Sequence, residues 1–174
     1  MTTQTYDAII LGAGAAGLMC ALTAGQRGRR VLLVDHADQV GKKILISGGG
    51  RCNFTNIGTA PDRYLSQNPH FAKSALGRYT ARDFLDLVER HGIAWHEKTL
   101  GQLFCDGSAS QIVDMLLGEC AIGGVEIWLG HPATVEHADG RYRIACGNRT
   151  ADAPALVIAT GGPSIPKMGA TGFA

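Results

Sequence analysis

Residues 6–35 read YDAIILGAGAAGLMCALTAGQRGRRVLLVD, and this stretch decides the fold. An apolar run over residues 8–11 meets Gly12-Ala13-Gly14-Ala15-Ala16-Gly17. Leu18, Ala21, Leu22 and Gly25 then recur at helical spacing, and a second apolar run over residues 31–34 ends at Asp35. The order is strand, glycine turn, helix, strand. Gly12 allows a sharp exit from the first strand, Gly14 has no side chain to keep a pyrophosphate off the backbone, and Gly17 lets the helix lie close on the sheet. The start of the helix, at Ala15 and Ala16, offers free N–H groups and the positive end of the helix dipole to phosphates. Asp35, at the carboxyl end of the second strand, is placed to accept hydrogen bonds from both ribose hydroxyls.

A GxGxxG alone is a weak signal. Here Ala21, Gly28, Val31 and Asp35 also fall where the longer βαβ pattern wants a small residue, a turn glycine, a buried β-branched residue and an acid. The acid disfavours a 2′-phosphate, because two negative charges would face each other, so FAD or NAD is expected and NADP is not. The expected fold class is α/β, a Rossmann-like parallel sheet.

Composition sets the outer bounds. The chain has 174 residues, 45% hydrophobic and 18% charged, enough for one globular domain. Its net charge is +1. With no basic stripe or acidic tail evident, neither nucleic acid nor a membrane surface is expected as a partner. Five cysteines, with no CxxC pair, favour a reduced cytoplasmic protein without structural zinc. The uncharged residues 8–25 lack a basic leader, and their glycines suit a phosphate turn, so neither signal peptide nor membrane span is expected.

After Asp35 comes GKKILISGGGRCNFTN, beginning at Gly41. Gly48, Gly49 and Gly50 require a loop with positive φ or close ligand approach, and Ser47, Arg51, Asn53, Thr55 and Asn56 surround it with donors. Residues 61–69 read as a surface connection. Phe84, Leu87, Val88 and His91 mark a helix over about 81–91 closed by Gly92; Ile112, Met115, Leu116 and Cys120 mark another, capped near Ser108. Residues 93–104 read as extended and at an edge.

Residues 125–129 form a third parallel strand on this reading. Residues 133–153 carry an Asp139-Gly140 hairpin, an antiparallel flap interrupting the parallel sheet. Residues 155–159 read as a buried strand that delivers Thr160, Gly161 and Gly162 at its carboxyl end, where ligands of open α/β sheets lie. The three glycine clusters are therefore expected to converge.

Together, the first glycine turn, Asp35, GKKILISGGGRCNFTN and ATGGPSIP from Ala159 resemble the BaiN/RdsA-type NAD(P)/FAD-dependent oxidoreductases, a family that includes YhiN-like flavoproteins and aminoacetone oxidase relatives. SGGGRCNFTN is the most specific part. The resemblance implies a glutathione-reductase-type FAD domain. Within it Gly12, Gly14, Ala15, Ala16 and Gly17 would hold the pyrophosphate and Asp35 the ribose. Lys42, Lys43 and the loop of Ser47, Gly48, Gly49, Gly50, Arg51, Cys52 and Asn53 would lie near the cofactor, and Val135 would meet adenine through its backbone. It also implies that residues 1–174 are an incomplete FAD-binding domain, lacking an inserted substrate domain and a C-terminal FAD-domain segment.

The expected activity is an FAD-dependent oxidoreduction on a small organic substrate or a nicotinamide, with NAD(P)H as a candidate donor. An NAD-dependent dehydrogenase and a non-catalytic dinucleotide-binding module are the alternatives. Cys52, lacking a CxxC partner, reads as a small buried hydrophobe rather than a redox group. No catalytic residue is assigned, and none of the six histidines falls in a metal-binding pattern.

Overall fold

The computed structural model describes residues 3–162. The glycine-rich residues 168–173 and all of ATGGPSIP beyond Gly162 lie outside the described residues. In chain order the elements are β1 Gln4–Thr5, β2 Ala8–Leu11, α1 Ala15–Gln26, β3 Val31–Val34, α2 Lys42–Ile46, β4 Asn53–Asn56, α3 Lys73–Arg78, α4 Ala81–Arg90, β5 Trp95–Glu97, β6 Gln102–Cys105, α5 Ser110–Ile122, β7 Glu126–Trp128, β8 Ala133–Ala138, β9 Arg141–Cys146, β10 Arg149–Ala153 and β11 Ala155–Ile158. They fall into two compact units, residues 1–43 with 116–174, and residues 44–115.

The first unit contains the parallel sheet, in the order β11-β2-β3-β7. The strand, turn, helix and strand expected from residues 6–35 form in register, with Ile9 opposite Leu32 and Leu11 opposite Val34. Side chains alternate across this sheet. Ile9, Leu32 and Val34 enter one core with Tyr6, Trp128, Ile144, Cys146, Ala151 and Ala153. Ile10, Val31 and Leu33 point the other way, toward the α1 face, where Leu18, Ala21 and Leu22 are buried. Both faces are thus covered, which explains why all four residues of β3 are apolar and buried rather than alternating.

The cover on the first face is the flap, a sheet ordered β1-β10-β9-β8. Asp139 and Gly140 both take positive φ, 53° and 72°, as a two-residue type I′ hairpin requires. A second hairpin, through Gly147-Asn148, brings back β10 so that Cys146 faces Arg149. The flap therefore packs on the parallel sheet as a layer. At one end of this unit the Tyr6 hydroxyl donates to Glu126 Oε2 (2.5 Å) and the Trp128 indole N–H donates to Glu126 Oε1 (2.7 Å).

The strand over residues 155–158, which reads as buried, pairs with β2 and has no strand on its other side among the described residues, with Ala155 exposed and Ile158 47% exposed. This is the exposed edge expected where a C-terminal strand beside it is lacking.

The second unit is built around an antiparallel sheet ordered β4-β6-β5. Its central strand buries Leu103, Phe104 and Cys105. Residues 93–104 are therefore an edge strand and a central strand, not one edge segment. α4 starts with a reciprocal cap: Thr80 Oγ1 accepts from the Asp83 N–H (3.2 Å), and Asp83 Oδ2 accepts from the Thr80 N–H (2.6 Å). Leu85, Leu87 and Val88 are its buried face, and Gly92 closes it at φ 66°.

Candidate functional site

The glycine turn at the carboxyl end of β2 combines tight packing with open space. A Cβ on Gly17 would lie 1.8 Å from the Gly12 carbonyl oxygen, so this glycine is demanded by contact with the turn as well as by the sheet. Gly12, at φ 104°, would place a Cβ 2.4 Å from the Ala159 carbonyl oxygen, so the turn also packs against the carboxyl end of β11. Around Gly14 the situation is opposite. Its Cβ would meet nothing within 4 Å, and its backbone is extended at φ −85°, which any residue can adopt. Gly14 is therefore not needed for folding, and the space it leaves is where a phosphate would approach the backbone.

α1 begins at that space with no side-chain cap and no acid in its first turn. Ala15 and Ala16 are exposed, and as the first residues of α1 their N–H groups have no acceptor within the helix and lie at the positive end of its dipole. Asp35 stands beside the turn: its Oδ2 accepts from the Ala13 N–H (2.6 Å) and its Oδ1 from the Ala37 N–H (2.9 Å). Each oxygen keeps a second lone pair, so ribose hydroxyls can still be accepted. The holding of the turn by Asp35 went unforeseen, although an acid at the end of the second strand is its signal. An uncapped helix start, a cradle that a Cβ would fill and an acceptor carboxylate fit a dinucleotide with two phosphates and a free 2′-hydroxyl.

The other sequence-chosen residues divide between the units. Lys43 Nζ donates to the Gly162 carbonyl (3.1 Å), tying the start of α2 to the strand-end cluster of Thr160, Gly161 and Gly162, all three exposed. Lys42 instead pairs with Asp38 (2.9 Å). Val135 lies on β8, 40% exposed, opposite Ile144. Convergence is thus found for the first and last glycine clusters, through the Gly12 contact with Ala159 and Thr160. Ser47, Gly48, Gly49, Gly50, Arg51, Cys52 and Asn53 belong to the second unit.

That loop differs from the expectation in its surroundings. Residues 42–46 are helical and residues 53–56 are a strand, so the irregular part is confined to residues 47–52. The reason is local. Gly48 and Gly49 take left-handed φ (58° and 68°), and a Cβ on Gly48 would lie 2.6 Å from the Phe104 ring. This tight contact lets the chain turn from α2 directly into β4. Arg51 is exposed, while Cys52 is buried. Burial pushes the Cys52 thiol up, and burial followed by the charges of Cys52 and Asp106 pushes Cys105 up to about 11. Both behave as the small hydrophobes expected of Cys52. All five cysteines are free thiols.

Among the described residues no cluster of His, Cys, Asp and Glu could hold a metal, and no helix is long and apolar enough to cross a membrane.

A doubly covered parallel sheet with a bare phosphate turn and a β flap defines the class as a dinucleotide-binding Rossmann domain of the flavoprotein type. The chain belongs to the family described as HI0933-like protein Rossmann domain, whose model matches residues 6–174. It is 57% identical over 98% of its length to the ribosomal RNA dihydrouridine synthase of Escherichia coli strain K12, covering 43% of that protein. To the ribosomal RNA dihydrouridine synthase of Haemophilus influenzae it is 48% identical, over 98% of this chain and 44% of that protein. The chain therefore spans less than half the length of these relatives. Among solved structures, the glycine oxidase of Geobacillus kaustophilus shares the fold with a TM-score of 0.64 at 17% identity, over 91% of this chain and 56% of that one. The halogenase PltM in complex with phloroglucinol and FAD gives 0.54 at 18% identity, over 94% and 36%. Family and fold both accord with FAD as the cofactor.

The expectation that nucleic acid plays no part is overturned, because both relatives are named for chemistry on ribosomal RNA. Net charge misled because it averages the chain. Between Arg51 and Arg78 the cations Arg51, Arg63, Lys73 and Arg78 meet a single carboxylate, Asp62, while Asp83, Asp86, Glu89, Glu97, Asp106 and Asp114 follow and cancel them.

Proposed function

We propose that the chain is the FAD-holding part of an oxidoreductase that reduces a uridine base in ribosomal RNA. The observation that carries this reading is 57% identity, over nearly the whole chain, to a relative named for that reaction. It replaces the small organic substrate expected from the sequence and keeps the flavin chemistry. Turning uridine into dihydrouridine saturates one carbon–carbon double bond and consumes two electrons and two protons. FAD, when bound, supplies the two-electron carrier, with a nicotinamide as the donor.

The chain's own residues bind and orient in this scheme. Gly14 and the N–H groups of Ala15 and Ala16 hold the pyrophosphate. Asp35 accepts from the adenosine ribose while holding the turn through Ala13. Lys43 fixes the strand-end glycines Gly161 and Gly162 beside the turn, and the Val135 strand closes the adenine side. Residues 47–53 serve the flavin end. The remaining length of the longer relatives corresponds, on this reading, to a substrate domain and a strand placed beside β11.

The test uses full-length protein purified with its cofactor. The visible spectrum should show flavin, and incubation with a nicotinamide donor and ribosomal RNA should convert a uridine to a nucleoside heavier by two hydrogens. Flavin with no change in the RNA would remove the substrate assignment and leave the cofactor. Absence of flavin would remove both.

A further inference from the structure

The segment between β4 and α4 is unusual for its exposure. Every residue from 62 to 71 is exposed, and they include Tyr64 (43%), Leu65 (100%) and Phe71 (53%). A soluble surface normally scatters such groups singly. Here they are arranged. The Tyr64 and Phe71 rings meet edge to face at 6.2 Å. Tyr64 also walls three adjoining grooves. One, of about 540 Å³, is shared with Asn56, Thr59, Arg63 and Leu100. A second, of about 520 Å³, is shared with Leu65, Pro69 and Lys73. The third lies toward Phe54, Leu76 and Tyr79.

Charge indicates the occupant. Arg63 and Lys73 stand in the grooves beside Tyr64, and Arg78 precedes Tyr79. The single acid of the segment, Asp62, approaches Arg63 only at 4.0 Å, with both side chains about three-quarters exposed. That is a weak tie that leaves the guanidinium available. Among the described residues no carboxylate pairs with Lys73 or Arg78. A protein partner covering so much apolar surface would leave these cations to be desolvated at a cost. Single-stranded RNA instead offers flat bases for the rings and phosphates for the cations.

We propose that this surface docks RNA, with unpaired bases stacking on Tyr64 and Phe71 and the backbone phosphates held by Arg63 and Lys73. The inference rests on the RNA reading above and adds the place of contact. A groove shaped by an aromatic wall, an amide, a hydroxyl and a guanidinium suits a base splayed out of a loop, whereas a base locked in a duplex could not enter.

The test measures binding of a fluorescein-labelled single-stranded RNA oligonucleotide to full-length, flavin-loaded protein by anisotropy, over a range of salt. Arg63→Gln with Lys73→Gln should weaken binding by about tenfold or more and lower the slope of log affinity against log salt by about 1.4, at roughly 0.7 per phosphate contact. Tyr64→Ala with Phe71→Ala should weaken it by about tenfold with the slope unchanged, since stacking releases no counterions. Both double variants should keep their flavin absorbance and melting temperature. If the wild type binds no RNA, this inference and the substrate assignment fall together. If it binds and the variants bind equally well, the docking surface is overturned and the substrate assignment stands. If the variants lose flavin or aggregate, the surface packs against protein, and the inference is equally overturned.

Discussion

Asp35 Oδ2 accepts a 2.6 Å hydrogen bond from the Ala13 N–H, so the residue placed to receive ribose also fixes the turn that receives phosphate. The two halves of the dinucleotide site are coupled through one carboxylate. Asp35→Ala leaves the Ala13 donor, in a residue only 1% exposed, without its acceptor, a loss of about 1–3 kcal/mol. The expected outcome is lower thermal stability without cofactor and a drop in FAD affinity larger than the loss of ribose contacts alone would give. Melting curves and flavin titration of the same variant check both.

Gly14 and Gly17 should separate binding from folding. With nothing within 4 Å of its Cβ, Gly14→Val should fold at a cost of about 1 kcal/mol for a poorer start to α1, yet purify without flavin. Gly17→Ala places a Cβ 1.8 Å from the Gly12 carbonyl oxygen and should lose the fold rather than the ligand alone. Soluble Gly17→Ala with a normal melting temperature would show that the turn relaxes, and flavin retained by Gly14→Val would remove this turn from the cofactor site.

This contrast also shows what could be read in the residues. The spacing of Gly12, Gly14 and Gly17, the apolar runs of β2 and β3 and the Asp139-Gly140 turn are local signals, and each element appeared where its pattern lay. β4 had no such signal. Asn53–Asn56 reads NFTN, polar and without a clean alternation, and it pairs with β6 across a bulge between Asn53 and Thr55, nearly fifty residues away. Long-range pairing decided its state, not propensity. The basic segment was hidden for a different reason: its charge is cancelled by acids that follow it in sequence, and a chain-wide net charge cannot register position.

Glu126 should set part of the acid limit of stability. Burial alone would raise its carboxyl, but hydrogen bonds from Tyr6 and Trp128, with Arg30 and Arg149 nearby, outweigh it and hold the group below its ordinary value. A depressed folded-state value contributes stability that is fully present above the unfolded-state value, near ~4.3, and is lost as pH falls through the folded value. Glu126→Gln should therefore cost about 1 kcal/mol at neutral pH, discounted because the carboxylate keeps contact with water, and little once the pH lies below the folded-state value. Denaturant melts across pH should show the two curves converging on the acid side. Parallel curves would mean that Glu126 contributes nothing through its charge.

The thiols should be inert in the folded protein. With burial raising Cys52 and bringing Cys105 to about 11 against an ordinary 9.0, the Cys105 thiolate fraction near neutral pH falls by about a hundredfold. Alkylation followed by mass spectrometry should label Cys20, the only cysteine not buried, before Cys52 or Cys105. Early labelling of Cys52 would reopen a redox role beside the glycine loop.

The edge at β11 leads to a prediction about the chain on its own. Among the described residues β11 pairs with β2 on one side only, and Ile158 is 47% exposed on a strand of sequence ALVI. An apolar parallel strand with unpaired N–H and carbonyl groups is a template for another chain. The carboxyl end of the same strand meets the glycine turn, where the Ala159 carbonyl approaches Gly12, so any disturbance of this edge reaches the phosphate site directly. Residues 1–174 alone should consequently self-associate at lower concentration and hold FAD more weakly than the full-length protein, whose relatives are more than twice as long as the part this chain covers. Ile158→Lys places a charge on the exposed edge and should reduce association of the 1–174 chain without restoring FAD affinity, because it blocks the wrong partner without supplying the right one. Sedimentation and flavin titration of the two lengths and the variant decide it: equal affinity in both lengths, with a monomeric 1–174 chain, would mean that β11 is a finished edge and that the domain ends with it.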